Sequence, residues 1–283
     1  MVKKIFAYSY VYLILLLMYV PIFVLILYSF MATTYLGEWD WSKLNFDLYV
    51  SLFHDTEIMV ALGNTLIIAV ISSFVSTVLG TLGAIGAFYS KKRARNALES
   101  VNQIPVVNSE IVMALSLTVM FVFIGNVIFH KNIFSFWTLL VGHIIISAPF
   151  VYLNVKPKLT QMDPSLYEAA LDLGCAPRTA LRKVLVPQIV PGIVSGFLLS
   201  FTLSLDDFII TAFTRGPGLL SGDGNIETLS TLVQAKLKKG PIPMNMRPLT
   251  TIIFLVVLVA VIIITIIKNR SAKKVKVRKG RAN

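Results

Sequence analysis

Six long apolar runs divide the chain, and each is about as long as a helix that crosses a bilayer. A hydrocarbon core about 30 Å thick needs roughly 20 consecutive apolar residues in a helix. Only 14% of the 283 residues are charged, whereas soluble domains carry about 25%. The sequence therefore predicts an all-α polytopic membrane protein with six transmembrane helices, at about residues 8–31, 60–89, 104–129, 136–155, 189–214 and 249–267.

The charges between the runs predict the direction of each span. Residues 32–59 are acidic and aromatic, which favours the outer side, and the loop 156–187 is basic, which favours the cytoplasm. The basic segment 215–248 departs from this rule, but alternation with the other loops places it outside. We therefore expect both termini in the cytoplasm, with residues 1–267 forming a single transmembrane domain and residues 268–283 a basic cytoplasmic tail.

The net charge of +12 does not indicate a nucleic-acid-binding protein, because much of it lies in the tail directly after an apolar run. A basic segment in that place is typical of a cytoplasmic end held near anionic lipid headgroups. Cys175 is the single cysteine, so no intrachain disulfide can form, and with three scattered histidines it predicts no metal site. His143 lies within a span and is interpreted as a hydrogen-bonded packing residue.

Three acids fall inside the predicted spans: Glu110, Asp206 and Asp207. An acid at membrane depth is costly and is by default a functional hypothesis. No Lys or Arg lies inside a span to pair with them, so their partner would be a cation, a proton or a neighbouring polar group. Helical spacing places Asp207 on one polar stripe of the fifth span, whose members are Ser200, Ser204, Asp207, Thr211 and Thr214.

Two interpretations of these polar residues stay open from the sequence. The acids could bind a cation that enters from outside, or they could be protonated, bonded to a neighbouring helix or placed at the interface. In the same way, Trp39, Trp41 and Tyr49 of the first outer loop could form an interfacial aromatic belt or line the mouth of a path for a cation.

The loop 156–187 carries a spaced pattern of Glu168, Ala169 and Ala170, then Gly174, then Pro187. Gly174 and Pro177 predict a short helix, a bend and a second short helix along the membrane face. The two alanines would let another protein approach closely. The alternative is a helical hairpin that packs on its own bundle.

This loop resembles the EAA motif of ABC importer permeases: Glu-Ala-Ala, three residues, Gly, nine residues, Ile, one residue, Leu-Pro. Val184 and Val186 stand at the Ile and Leu positions. Residues 62–66, 110–114 and 200–207 are similar to the spermidine/putrescine (PotC-type) permeases of that family. The resemblance implies a type I ABC importer permease fold. It further implies ATPase coupling through Glu168, Ala169, Ala170, Gly174 and Pro187, and a substrate path formed by Glu110, Ser204, Asp206, Asp207 and Tyr49.

The resulting expectation is a permease subunit of an ATP-driven polyamine importer in the bacterial cytoplasmic membrane. The chain lacks the phosphate-binding loop G-x-x-x-x-G-K-[ST], so we expect no enzyme activity and no bound cofactor, with ATP and Mg held by partner subunits. The expected partners are two copies of a cytoplasmic ATP-binding subunit, a second, related permease, an extracytoplasmic polyamine-binding protein and membrane lipid, but no nucleic acid. A permease for another cationic or small polar solute, or an ATPase-independent cation channel or scaffold, is the alternative.

Overall fold

In a computed structural model the chain is helical, as the sequence predicts. The structure describes residues 2–33, 44–163, 165–216, 226–240, 244–256 and 258–259. Within them the helices are α1 (Val2–Tyr28), α2 (Asp47–His54), α3 (Thr56–Tyr89), α4 (Lys92–Val107), α5 (Glu110–Phe123), α6 (Phe136–Gln161), α7 (Ser165–Asp172), α8 (Pro177–Ala180), α9 (Val186–Asp206), α10 (Ile209–Thr214), α11 (Leu229–Lys239) and α12 (Met246–Val256).

Among these described residues, five helical segments are long and apolar enough to cross a membrane: Tyr8–Tyr28, Thr56–Tyr89, Glu110–Phe129, Phe136–Gln161 and Pro177–Asp206. Two of them include a short π-helical turn, at Ile124–Phe129 and Leu181–Leu185. The shorter apolar helix α12 covers the first part of the sixth predicted span, 249–267, of which residues 257 and 260–267 lie outside the described residues. The basic tail 268–283 also lies outside them.

Two helix ends differ from the predicted spans. The third span was expected from about residue 104, but α4 ends at Val107 and α5 begins at Glu110, where the Ser109 side chain accepts a hydrogen bond from the Val112 N–H. The fifth span was expected to run without interruption over 189–214, but the helix ends at Asp206 and α10 begins at Ile209. In both places a polar side chain caps a new helix, because it can replace the missing backbone partners of the first turn.

The chain forms two units, Met59–Ala235 and Met1–Ile58 with Lys236–Asn283. In the first of these, α6 is central and packs along α9. Val151, Val155 and Leu159 of α6 are fully buried with Leu185 and Ile189, which precede and begin α9. A second cluster joins α5 to α10 through Ala114, Leu117, Phe121 and Ile210. These contacts fix α10 against both α5 and α6.

In the other unit, hydrogen bonds join the segments next to α1, α2 and α12 to one another. The Tyr49 hydroxyl lies 2.7 Å from Ser29 Oγ, and Asn245 Nδ2 donates to Asp55 Oδ2 at 2.8 Å. Arg247 is buried, and its Nη1 donates to the carbonyl oxygen of Thr33 at 2.9 Å. By contrast, the other described residues leave the apolar span Tyr8–Tyr28 largely uncovered, as expected for a helix that faces lipid or another subunit.

Candidate functional site

The helix that carries the predicted acid Asp206 ends there, and the second acid, Asp207, lies in a break before the next helix. Asp206 is the last residue of α9, Asp207 and Phe208 leave the helix, and Ile209 begins α10. We call residues 207–208 the helix break. The Asp207 carboxylate accepts hydrogen bonds from the backbone N–H groups of Ile210 (3.2 Å) and Thr211 (2.9 Å). Asp207 therefore caps the first turn of α10, where the helix dipole also favours a negative charge.

The polar stripe of the fifth span lies on the inner face of this bent helix. Ser200, Ser204, Thr211 and Thr214 are all buried, and the Asp207 side chain is only 10% exposed. The stripe faces α6, where Gly142 leaves room for it: a Cβ there would lie 2.7 Å from Ile210 Cγ2. The periodicity of the stripe was therefore read correctly as one face, and that face packs inside this chain.

His143 of α6 bridges the two sides of the helix break. Its Nδ1 lies 2.8 Å from Ser204 Oγ on α9, and its Nε2 lies 3.1 Å from Thr211 Oγ1 on α10. The ring is 3% exposed. A neutral His143 with its proton on Nε2 satisfies both contacts, because Ser204 can donate to Nδ1 while Thr211 accepts from Nε2 and donates to the Asp207 carboxylate at 3.0 Å. The interpretation of His143 as a hydrogen-bonded packing residue is confirmed.

Two further hydroxyl groups complete what we call the buried polar network: Ser72, His143, Ser204, Asp207, Thr211 and Ser230. Ser72 Oγ of α3 donates to Ser204 Oγ at 3.0 Å. Ser230 Oγ of α11 donates to the backbone carbonyl of Asp207, which the helix break leaves without a helical partner. The network thus joins five helices at one point. It also supplies hydrogen-bond partners to the polar groups that the break leaves without them.

Asp206 is in the opposite situation from its neighbour. Its side chain is exposed, and within the described ranges no other residue donates a hydrogen bond or forms an ion pair to its carboxylate. A negative charge at a helix C-terminus is also unfavourable, by about 0.3–1 kcal/mol, because the dipole there is negative. Asp206 is therefore the acid of this pair that is free to bind an external cation.

Glu110 occupies the first turn of α5 and is exposed. That position favours an acid, because the N-terminus of a helix carries partial positive charge. Helix α5 meets α10 further along, where Thr118 Oγ1 donates to the Phe213 carbonyl at 3.1 Å. In the described part of the chain, no hydrogen bond or ion pair joins Glu110 to Asp206 or Asp207, so a shared site for the three acids stays a prediction.

Tyr49 belongs to the unit that holds α1 and α2, where it is half-buried in an aromatic cluster. Its ring centroid lies 5.1 Å from that of Phe30 and 6.1 Å from that of Phe46. With its hydroxyl on Ser29, this ring has a fixed position. Trp39 and Trp41 lie outside the described residues, so the choice between an aromatic belt and a path lining stays open for them.

The spaced pattern in the loop after α6 forms a helix and a tight turn. Asp163 precedes α7 and accepts a hydrogen bond from the Ser165 N–H at 3.0 Å; hydrogen bonds from Ser165 lower the pKa of this carboxyl. Helix α7 ends at Asp172, and Gly174 follows it with a φ of +83°, in the left-handed region. The Cys175 N–H bonds back to the Ala170 carbonyl at 3.1 Å, as in a Schellman turn that requires glycine.

The outer face of α7 is apolar. Leu166 is 46% and Leu173 is 86% exposed, and Ala169 lies exposed between them at helical spacing. Glu168 is exposed beside this face, whereas Ala170 is buried. An exposed Leu-Ala-Leu row on a short helix is typical of a surface that another protein covers.

The second short helix of the loop is not separate from the membrane span. From Pro177 the chain is helical through Pro187, which is exposed in the first turn of α9, and on to Asp206. This segment has 30 residues, or about 45 Å at 1.5 Å per residue. It links the turn after α7 directly to the helix break as one continuous helical segment.

Sequence reasoning missed Ser72, Thr65 and Ser230 as parts of this region. Thr65 Oγ1 accepts a hydrogen bond from the Leu229 N–H at 2.8 Å, and this bond fixes the start of α11. Ser72 and Thr65 meet partners more than a hundred residues away, and Ser230 meets a partner 23 residues away on another element. Single hydroxyls in such segments carry no local pattern. Only the repeated spacing of the stripe gave a signal.

Comparison with known proteins gives a consistent family. The family described as "Binding-protein-dependent transport system inner membrane component" matches residues 77–277, well over half of the chain. The spermidine/putrescine transport system permease protein PotC of Escherichia coli K12 is 30% identical over 256 residues, covering 90% of this chain and 91% of that protein. The putrescine transport system permease protein PotI of the same strain is 31% identical over 238 residues, covering 83% and 81%.

Solved structures agree with this at the level of the fold. A bacterial ABC transporter involved in the import of the acidic polysaccharide alginate superimposes with a TM-score of 0.71 at 16% identity, covering 93% of each chain. The methionine ABC transporter MetNI gives a TM-score of 0.54 at 20% identity, covering 75% of this chain and 95% of that chain. The predicted ABC importer permease fold is confirmed.

Proposed function

Because the chain belongs to the family of inner membrane components of binding-protein-dependent transport systems, we propose that it is a permease subunit of an ATP-driven importer for polyamines such as spermidine and putrescine. The proposed substrate rests on one observation: most of the chain is similar to two permeases named for these compounds, PotC and PotI. The family is one of transport components and not of enzymes.

The exposed acids suit such a substrate. A polyamine carries ammonium groups separated by methylenes, so a path for it needs carboxylates and apolar or aromatic walls. Asp206 and Glu110 are exposed carboxylates at helix ends, and Tyr49 offers an aromatic face. Such a path should bind weakly at several points, since a site that binds tightly cannot release its ion. Ser204 and Asp207 contribute by holding the helix break beside Asp206.

Energy for transport comes, in this proposal, from two copies of a cytoplasmic ATP-binding subunit that hold ATP and Mg. They grip α7 through its exposed row of Leu166, Ala169 and Leu173, next to Glu168. Gly174 and Ala170 keep α7 at a fixed angle to the helical segment that begins at Pro177. A movement of the ATP-binding subunits would then be transmitted along this helical segment, past Pro187, to Asp206.

The remaining proposed partners would bind the exposed apolar helix of the chain and its outer loops. A second, related permease would cover part of the apolar helix Tyr8–Tyr28 and supply the other half of the path. An extracytoplasmic binding protein would deliver polyamine to the outer loops. The proposal places both termini, the loop at 156–187 and the tail 268–283 on the cytoplasmic side, with residues 1–267 as one permease domain.

Uptake of radiolabelled spermidine tests this function. The chain would be expressed with its partner subunits in bacteria that lack other polyamine importers. We expect saturable uptake that unlabelled putrescine reduces and that basic amino acids at the same concentration do not. Uptake that basic amino acids reduce equally would instead favour an importer for another cationic solute. Uptake that persists without the ATP-binding subunits would favour a channel.

A further inference from the structure

A separate polar cavity lies between α3, α4 and α6, and no residue of the buried polar network lines it. Its volume is about 350 Å³. Ala84, Ala87 and Phe88 of α3 form its apolar wall, and the polar wall consists of Arg95, Asn96, Glu99, Tyr152, Lys156 and Thr160. None of these residues has a part in the proposed transport path.

The cavity carries one excess positive charge. Lys156 Nζ lies 2.8 Å from Glu99 Oε1, so these two charges compensate each other. Arg95 is half-buried, and in the part of the chain that the structure describes its guanidinium makes no hydrogen bond or ion pair. A guanidinium held at the wall of a cavity with five free donors favours an oxyanion as its ligand.

A second donor without a partner lies at the same place. Tyr152 is 4% exposed, and its hydroxyl is a buried atom for which no described residue provides a hydrogen bond. Glu99 and Arg95 line the same cavity as this hydroxyl. Buried hydroxyls are normally hydrogen-bonded. A ligand oxygen held by Arg95 would supply the acceptor that the Tyr152 hydroxyl lacks.

The surface beside the cavity is apolar along one line and basic at its start. Leu98, Val101 and Ile104 of α4 are 47%, 63% and 53% exposed at spacings of three residues. Lys91 precedes the helix and Lys92 begins it. A helix with an exposed apolar line and basic residues is suited to the surface of a membrane that contains anionic lipids.

We propose that this cavity binds a phosphate group, carried by an anionic phospholipid or present as a soluble phosphate. Arg95 provides the paired N–H donors that match phosphate oxygens, and the Tyr152 hydroxyl and the Asn96 amide provide the others. The acyl chains of a phospholipid would lie along Leu98, Val101 and Ile104. The proposal does not depend on which solute the protein transports.

Lipid retention by the purified importer tests the site. The complex that contains the full chain is reconstituted in equal parts of phosphatidylglycerol and phosphatidylcholine, returned to detergent and examined by native mass spectrometry. We expect retained phosphatidylglycerol to exceed phosphatidylcholine. Arg95→Ala should lower this retention at least fivefold and Tyr152→Phe at least twofold. The matched control is Arg93→Ala, which removes the same charge from the same helix about 160° away from Arg95, at a residue that does not line the cavity, and should retain the lipid.

Equilibrium dialysis of the same complex with labelled inorganic phosphate distinguishes the source. Phosphate binding that Arg95→Ala removes and Arg93→Ala preserves, without selective lipid retention, would support the site and assign it to soluble phosphate. The proposal is overturned if Arg95→Ala and Arg93→Ala have equal effects on both ligands, or if Tyr152→Phe retains lipid and phosphate as the parent does.

Discussion

Two adjacent acids have different surroundings, and this difference separates their roles at the scale of single residues. The Asp207 carboxylate accepts three hydrogen bonds, from two backbone N–H groups and from the Thr211 hydroxyl. Asp206, one residue earlier, is exposed and free of protein donors within the described ranges. We therefore expect Asp206 to act in transport and Asp207 to act in stability.

Replacing Asp206 and Asp207 separately tests this division. Asp206→Asn should lower polyamine uptake at low substrate by tenfold or more, since a contact between charged groups contributes about 1.5–3 kcal/mol. The amount and melting temperature of the purified complex should stay near those of the parent. Uptake at the parental rate would remove Asp206 from the path.

Asp207→Asn should show the converse. The amide offers one acceptor oxygen where the carboxylate offers two, so we expect a loss of about 1–2 kcal/mol of stability from the cap of α10. The melting temperature of the complex should fall, and uptake per folded complex should fall less than in Asp206→Asn. A stable Asp207→Asn complex with no uptake would instead make Asp207 a direct ligand of the substrate.

His143 is the residue on which both sides of the helix break depend. In His143→Leu, the Ser204 hydroxyl loses its acceptor and the Thr211 hydroxyl loses one of its donors, although Ser72 and Asp207 still bond to them. A buried polar group that loses a hydrogen bond costs about 1–3 kcal/mol. We expect a clearly lower melting temperature of the purified complex. His130→Asn is the control, because His130 is exposed and asparagine tolerates its φ of 50°. Equal melting temperatures for the two variants would contradict the bridging role.

At the scale of helices, the packing of α10 on α6 holds the helix break in place. A Cβ at Gly142 would lie 2.7 Å from Ile210 Cγ2 and 3.3 Å from Thr214 Oγ1, so α10 would have to move. Gly142→Ala should therefore destabilise the complex by about 1–3 kcal/mol, measured by thermal unfolding. Gly63→Ala, also within a helix but with open space around the new Cβ, should be neutral or stabilising.

The second prediction at this scale concerns α7. Leu173 is 86% exposed, so Leu173→Ser should leave the fold of the chain intact but weaken its binding to the ATP-binding subunit by at least tenfold in a pull-down titration. The neighbouring exposed residue gives a matched control: Cys175→Ser should bind as the parent does. If Leu173→Ser bound the ATP-binding subunit as tightly as Cys175→Ser, the exposed row of α7 would not be the docking face.

The helices show where local sequence reasoning succeeds and where it stops. Long apolar runs gave the helices themselves, because bilayer thickness sets their length. The breaks at 108–109 and 207–208 were missed, since runs of hydrophobic residues carry no sign of a cap that Ser109 or Asp207 supplies. Gly174 was placed correctly as a bend, because a left-handed residue after a helix is a local property. The helix that continues from Pro177 into α9 was not foreseen, because Pro187 was expected to end the loop. Proline is tolerated in the first turn of a helix, and Pro187 occupies that place in α9.

At the scale of the whole molecule, the sequence predicted the membrane class and the family resemblance, and the comparisons confirm both. The candidate site was predicted only in part. The polar stripe was found by spacing, but its partners on α3, α6 and α11 come from distant parts of the chain. The largely uncovered helix Tyr8–Tyr28 shows that this chain leaves surface for other subunits or for lipid.

The most direct test of the central claim is spermidine accumulation in proteoliposomes that contain the complete importer and enclosed ATP. We predict that the polyamine-binding protein outside and ATP inside are both required, and that Asp206→Asn lowers accumulation at least tenfold while the assembled complex remains. Accumulation without ATP, or accumulation of spermidine that Asp206→Asn leaves unchanged, would contradict the account.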